Sequence, residues 1–286
     1  VEISILVGAG AFGAVFGSFL NVVIYRLPRE GESIVRPRSR CVGCGRPIAW
    51  YDNIPVLSYL ALRGRCRACG ARVSLRYPLV EILTAALTVL LAERSLVAPM
   101  RASGIEALGY AEVAGFVVEA AFLYAMIAAT FIDLDHTIIP DEITKPGMAL
   151  AVVAGLAVPQ LHATSNPLAG LMWAAIGVVT GAGFIWGVRV LGRLAFRKEA
   201  MGFGDVKYMG LIGGVLGWKG VFLTFFLACI AGSVIGVIVL LFRRSRYIPF
   251  APFLSLGATV MLLFSQEVMK FMREDYPALI RGIFGG

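Results

Sequence analysis

The chain has 286 residues, 58% of them hydrophobic and 15% charged, a composition too apolar for a water-soluble globule of that length. Its apolar runs of about 18 to 25 residues can each cross a hydrocarbon core of ~30 Å as a helix, and because they are continuous and do not alternate they speak against a strand barrel. The formal charge of +8 reports topology before it reports nucleic acid, which is not expected as a partner, because the basic residues of membrane proteins collect on the cytoplasmic side.

Eight apolar runs, near 5–25, 78–97, 113–132, 146–161, 167–188, 205–217, 220–242 and 250–270, predict an all-α polytopic membrane protein with about eight transmembrane helices. The sixth is the shortest and is rich in glycine. The basic residues orient the bundle. Eleven arginines fall between Arg26 and Arg76, and nine more basic residues, Lys145, Arg189, Arg193, Arg197, Lys198, Lys207, Arg243, Arg244 and Arg246, sit in loops that eight crossings place on the same side. The other side keeps six: Arg94, Arg101, Lys219, Lys270, Arg273 and Arg281. Both termini are therefore expected outside the cytoplasm, as a multi-pass chain of a bacterial inner membrane in contact with lipid.

Residues 1–28 form the first transmembrane helix. Gly8-Ala9-Gly10-Ala11-Phe12-Gly13 matches the dinucleotide pattern G-x-G-x-x-G, but no strand precedes it and the segment is apolar throughout, so the match carries no nucleotide-binding reading. Gly13 and Gly17, four apart, instead let another helix approach closely. Asn21 has two readings, a hydrogen bond across helices or a place in a site. The start is not read as a cleaved signal peptide, since its apolar run is long and Asn21 to Pro28 has no small-residue cleavage pattern.

Residues 29–77 turn polar, Arg-rich and Pro-containing, a small cytoplasmic domain inserted after the first helix. Cys41-Val42-Gly43-Cys44 and Cys66-Arg67-Ala68-Cys69 are two C-x-x-C pairs, each followed by glycine, at a separation suited to a four-thiolate zinc site. Disulfides compete, but the arginines put the segment in the reducing cytosol, where paired thiols more often hold metal. Four thiolates leave no open coordination position, so the zinc is expected to be structural. The apolar stretch from Trp50 to Leu60 is suited to packing on the membrane face or on the cysteine pairs. Glu81, shortly after Arg76, is a candidate for an interfacial pair with it. Cys229, alone in the seventh run, reads as packing.

The remaining chain, a helical domain over 78–273 with a tail over 274–286, places carboxylates at its membrane edge. Phe131-Ile132-Asp133-Leu134-Asp135-His136 closes the third run, expected to end at Asp133, and Gly202-Phe203-Gly204-Asp205 opens the sixth. Acids at a bilayer edge are costly and mark function by default. Two spans separate Asp133 from Asp205, and an even number of crossings returns the chain to the same face, so the two acids can meet. Asp135 is a candidate for a solvated loop charge, and Asp141 and Thr144 are of helix-capping type. Glu119 lies about 21 Å from Asp133 along a helix, too far to share its chemistry. Two adjacent carboxylates can share one proton, so that one activates water while the other donates to a carbonyl oxygen. No Ser-His pair and no H-E-x-x-H motif competes. The same acids would also serve an ion-coupled transporter, and a non-enzymatic assembly scaffold is a third reading.

Taken together, Gly17 to Pro28, the two C-x-x-C pairs with Asn53-Ile54-Pro55 between them, Ile132 to His136 with Pro140-Asp141, and Ala200-Met201-Gly202-Phe203-Gly204-Asp205-Val206-Lys207 resemble the type IV prepilin peptidase family, in order and over nearly the whole chain. The resemblance implies an inner-membrane aspartic endopeptidase that removes the short basic leader of type IV prepilins or type II secretion pseudopilins, on the cytoplasmic side and after a glycine. Bifunctional members then methylate the new amino terminus with S-adenosylmethionine. It implies Asp133 and Asp205 as the catalytic pair and Cys41, Cys44, Cys66 and Cys69 as zinc ligands. The complete four-cysteine segment is similar to the bifunctional branch, since members lacking it are generally peptidases alone. No fingerprint of a soluble methyltransferase occurs, so the donor's site has to be built from the cytoplasmic segment and adjoining helix ends. Arg65 and Arg67 are candidates for holding the donor's carboxylate, or serve topology alone.

Overall fold

A computed structural model describes residues 1–197, 201–242 and 249–276. Lys198, Ala200, Arg243, Arg244, Arg246, Arg281 and most of the expected 274–286 tail lie outside the described residues. Among those described the protein is nearly all helix, with no strand longer than an isolated bridge. The helices are α1 (Glu2–Arg26), α2 (Leu57–Ala61), α3 (Arg76–Ala92), α4 (Ala98–Ser103), α5 (Tyr110–His136), α6 (Asp141–Ala157), α7 (Pro167–Phe196), α8 (Phe203–Leu241) and α9 (Ala251–Lys270). A π turn, Glu93–Val97, carries α3 into α4.

Each of the eight apolar runs is helical. Five helices, α1, α5, α7, α8 and α9, are long and apolar enough to cross a membrane, so the chain is a multi-pass membrane protein. The runs at 205–217 and 220–242 both fall within the 39-residue α8, which is broken at Gly217 (φ 70°, ψ 174°). A straight helix would carry Val221 about 12 Å from Gly213, yet a Cβ built on Gly213 would lie 2.9 Å from Val221 Cγ2. The chain therefore folds back at Gly217, where a left-handed φ is open to glycine at no steric cost.

Without a hydrophobic force between helices in lipid, close packing at small residues has to hold such a bundle. α7 and the first half of α8 meet backbone to backbone: a Cβ on Gly177 would lie 2.0 Å from the Gly213 carbonyl oxygen, and one on Gly213 would lie 2.1 Å from that of Gly177. α1 packs on α3 in the same manner, Gly17 facing the Glu81 backbone and Gly13 facing Ala85, as their spacing predicts. α8 also contacts α6 and α9, and α5 contacts α1 and α9. Ile132, Tyr208, Met209, Ile212 and Leu254 are fully buried where α5, α8 and α9 converge.

The helix ends bearing the predicted acids meet at one end of the bundle. The end of α1 touches the start of α3, where Asn21 Nδ2 donates to Tyr77 O at 3.0 Å. Arg76 on α3 reaches the end of α5, and Lys207 on α8 reaches the start of α6. Arg189 on α7 donates to Met201 O at 3.1 Å, just before α8.

Candidate active site

Asp133 lies in the last turn of α5 and Asp205 in the first turn of α8, both nearly withdrawn from solvent at 5% and 8% exposure. Asp133 Oδ2 accepts from the N–H of Ala251, the first residue of α9, at 3.2 Å. Asp205 Oδ2 turns back to accept from the Gly202 N–H at 3.1 Å, which satisfies one of the orphan donors of its own helix start. The charge of Asp133 acts on Asp205. Among the described residues the second oxygen of each carboxylate has no protein hydrogen bond, leaving it open toward a substrate or a water.

Three hydroxyls brace this arrangement, and the sequence alone did not single them out. Ser255 on α9 has one proton and two lone pairs. Its hydroxyl donates to Ala251 O at 2.9 Å and accepts from Thr130 on α5 at 2.7 Å, which leaves its second lone pair for the hydroxyl of Tyr208 on α8. The cluster ties the three helices carrying Asp133, Asp205 and the Ala251 N–H. Tyr208 stands one turn after Asp205, on the same helix face, the one signal that could have found it. Ser255 and Thr130 lie in apolar runs with no signal at all.

Several expected partners differ. α5 runs through His136 before closing at Thr137 in the left-handed region, so Asp135 is a helix residue and not a loop charge. It forms an ion pair with Arg76, whose guanidinium also donates to Phe131 O at 3.1 Å. Glu81, expected beside Arg76, instead accepts from the Val56 N–H at 2.7 Å. Asp141 does not cap α6: Pro140 holds that position, and the Asp141 carboxylate lies between Lys207 and Lys145, the latter at 2.6 Å. Helix continuation displaced these acids by only a few residues, enough to change their partners. Glu119 belongs to the other end of the bundle, where Ser95 Oγ donates to it at 2.8 Å.

Before α3 the chain forms two similar hairpins, closed by isolated bridges between Arg40 and Pro47 and between Arg65 and Arg72. In each, a glycine at φ near +70° follows the second cysteine, Gly45 and Gly70, and its N–H returns to the carbonyl of the first, at 2.8 Å to Cys41 and 2.9 Å to Cys66. These turns bring Cys41, Cys44, Cys66 and Cys69 together, with all four sulfurs within 4.8 Å of one another and no disulfide. The Cys41 and Cys69 sulfurs are 3.8 Å apart, the edge expected of a tetrahedron with metal–sulfur bonds of ~2.3 Å. The N–H groups of Cys44 and Gly43 lower the Cys41 thiol to about 6, so one thiolate is present at neutral pH. Cys69 is lowered by the Ala71 N–H, but crowding and its thiol neighbours outweigh that and push it up to about 11. This set of donors can hold a metal ion. Arg67, proposed for a ligand carboxylate, clasps Asp52 at 2.7 to 3.0 Å through two nitrogens and holds its carboxyl below the usual range.

Between these hairpins and the ends of α1 and α3 lies a cavity of about 1130 Å³, whose lining includes Ser18, Asn21, Tyr77 and Glu81 from the helices and Arg40, Arg46 and Arg65 from the hairpins. Arg65, the other candidate for a ligand carboxylate, faces this cavity.

Residues 11–95 match the bacterial peptidase A24 N-terminal domain, and residues 120–237 match the type IV leader peptidase family. The chain is 34% identical to a prepilin leader peptidase/N-methyltransferase of Pseudomonas putida, covering 91% of each chain, and 33% identical to a protein of the same name from Aeromonas hydrophila, covering 93% of this chain and 92% of the relative. A Myxococcus xanthus relative of that name is 40% identical over 80% of this chain and 61% of its own length. No solved structure matches significantly.

Proposed function

The chain belongs to the type IV leader peptidase family, and we propose that it removes the leader of a type IV prepilin or a type II secretion pseudopilin by a two-aspartate mechanism, then methylates the new amino terminus. The observation that carries the first half is the approach of Asp133 and Asp205, from separate helix ends, to within electrostatic reach of each other in a nearly solvent-free site. Family membership removes the support for a transporter or a scaffold.

Two carboxylates so placed hold one proton between them. The ionised member takes a proton from a water as the water oxygen bonds to the scissile carbonyl carbon, while the neutral member donates its proton to the carbonyl oxygen. On collapse of the tetrahedral intermediate the carbon–nitrogen bond breaks and the nitrogen takes a proton from the acid that received it. The backbone N–H groups of Ala251 and Gly202 orient the carboxylates, and the Tyr208, Ser255 and Thr130 hydroxyls keep the three helices in register. The basic leader of the substrate would stay at the cytoplasmic interface while its apolar helix lies in lipid, and the scissile glycine loosens the helix around the bond.

Eight crossings, with both termini periplasmic and the acids and thiols cytoplasmic in a bacterial inner membrane, follow from the basic residues, and the chain reversal at Gly217 supports that number. The domain limits at 28, 77 and 273 follow from the same reading. Cys41, Cys44, Cys66 and Cys69 would hold a structural zinc, a fit supported by the sulfur spacing. The methyl reaction fits the cavity of about 1130 Å³, slightly larger than the ~300 to 1,000 Å³ of most small-molecule sites. S-adenosylmethionine held there would supply an electrophilic methyl group for the new amino terminus.

The test is to mix the detergent-solubilised protein with a prepilin and weigh the product. Loss of the leader mass, followed by a gain of one methyl group when the donor is present, supports the proposal. An intact substrate overturns it, and a cleaved but unmethylated product restricts it to the peptidase.

A further inference from the structure

Glu81 is the most unusual acid in the cavity. It is 8% exposed and held deep between helices, its own backbone a van der Waals neighbour of Gly17 on α1. Among the described residues it forms no ion pair. Arg76, the nearest base in sequence, is committed to Asp135. The partners of Glu81 are the Val56 N–H at 2.7 Å and the Ser18 hydroxyl. A carboxylate set deep at the membrane face without a cation is costly unless something positive comes to it. Val56 supports this reading from the other side of the contact. It sits at φ 61° and ψ −49°, a conformation rare for a β-branched residue. In this conformation its N–H is directed at the Glu81 carboxylate.

The lining contributed by the hairpins and their flanks is rich in arginine. Arg36, Arg40, Arg46, Arg65 and Arg72 all line the cavity, and among the described residues their guanidinium groups have no partner, whereas Arg67 is taken by Asp52. Tyr25, Tyr51 and Tyr77 add flat aromatic surface. The cavity thus combines the Glu81 carboxylate, a group of arginines and aromatic surface. A nucleotide bearing only phosphates would meet the Glu81 charge unfavourably. A ligand with a cationic centre, a carboxylate at its other end and a flat ring satisfies all three surfaces.

We infer that this cavity binds the methyl donor, with the Glu81 carboxylate facing the cationic sulfonium and the unpaired arginines facing the carboxylate of the donor's amino-acid end. The inference rests on the methyl-transfer reading and gives that reaction a place beside the aspartate pair. Arg76, next in sequence to the cavity-lining Tyr77, joins the start of α3 to the end of α5 through Asp135 and the Phe131 carbonyl.

A lipid headgroup with an ammonium and a phosphate shares part of this chemistry, and calorimetry on the zinc-loaded full chain separates the sources. S-adenosylmethionine carries the sulfonium charge and S-adenosylhomocysteine does not. Glu81→Gln keeps an oxygen for the Val56 N–H and removes only the charge. The expected result is a loss of S-adenosylmethionine affinity of about tenfold or more, the scale of one charge-assisted contact, with S-adenosylhomocysteine affinity kept within about twofold. Equal S-adenosylmethionine affinity in both proteins overturns the inference, and so does an equal loss for both ligands. Displacement of bound donor by phosphatidylethanolamine vesicles, with no effect of Glu81→Gln, assigns the cavity to lipid and also overturns it. A wild-type chain that methylates a cleaved prepilin yet shows an unaltered Glu81→Gln affinity refutes this site alone; one that neither binds the donor nor methylates refutes the methyl-transfer reading as well.

Discussion

Around Asp133 and Asp205 the ends of three helices converge, with side chains almost wholly withdrawn from solvent. Residues 27–75, at the same end of the bundle, expose Trp50, Leu57 and Leu60 and hold together through two tight hairpins, a thiol cluster and an arginine clasp. The first region owes its shape to helices meeting at glycine and to a hydroxyl cluster centred on Ser255. The second buries too little apolar surface to define a core, so cross-links must replace packing. The contrast predicts that chemistry, metal and packing can be removed one at a time.

The largest effect is expected from the acids. Asp133→Asn or Asp205→Asn, each alone, removes one half of a proton relay and lowers leader cleavage by ~10³- to 10⁴-fold, read by mass spectrometry of a prepilin, with the thermal unfolding midpoint nearly unchanged. Near-normal turnover in either variant would show that the residue is not part of the pair. Next comes metal removal. Chelation or Cys66→Ser withdraws a binding energy on the order of 10 kcal/mol, and hydrogen exchange over residues 38–72 should rise to that of an open chain while α5 to α9 stay protected. Loss of protection in those helices too would erase the contrast drawn here.

Gly213→Ala probes the packed region, since the added Cβ would lie 2.1 Å from the Gly177 carbonyl oxygen. It should cost about 1 to 3 kcal/mol, seen as an earlier unfolding midpoint, and an unaltered midpoint would mean that α7 and α8 separate easily. The smallest change concerns the exposed clasp. Asp52 is lowered from an ordinary value of 3.8 by Arg67, so its contribution is present above that value and fades as pH falls through its lower value in the folded chain. Asp52→Asn should alter stability by less than about 1 kcal/mol at neutral pH and flatten only this acid limb, as judged by unfolding at stepped pH.

The thiol cluster was legible early because each C-x-x-C pair lies within one short turn, where neighbours in sequence are neighbours in space. The acid pair was legible for a different reason: membrane crossings can be counted, and an even count returns Asp205 to the face of Asp133. Partner choice was less visible. Asp135 and Asp141 departed from expectation because α5 runs three residues past Asp133 and α6 starts at Asp141 itself. Glu81 did so because its partner, the Val56 N–H, comes from a segment 25 residues away in sequence.

The sequence by itself determined an apolar multi-pass chain, its helical runs, the four clustered thiols and the two acids at helix ends, since all of these depend on composition and local spacing. Only the tertiary structure decided that α8 folds back at Gly217, that Ser255 joins Thr130 to Tyr208, and that Glu81 lines one cavity with the hairpin arginines. Those features join residues far apart along the chain, and hydrogen bonds and close packing are set by distances of a few ångströms that no spacing rule in one dimension contains.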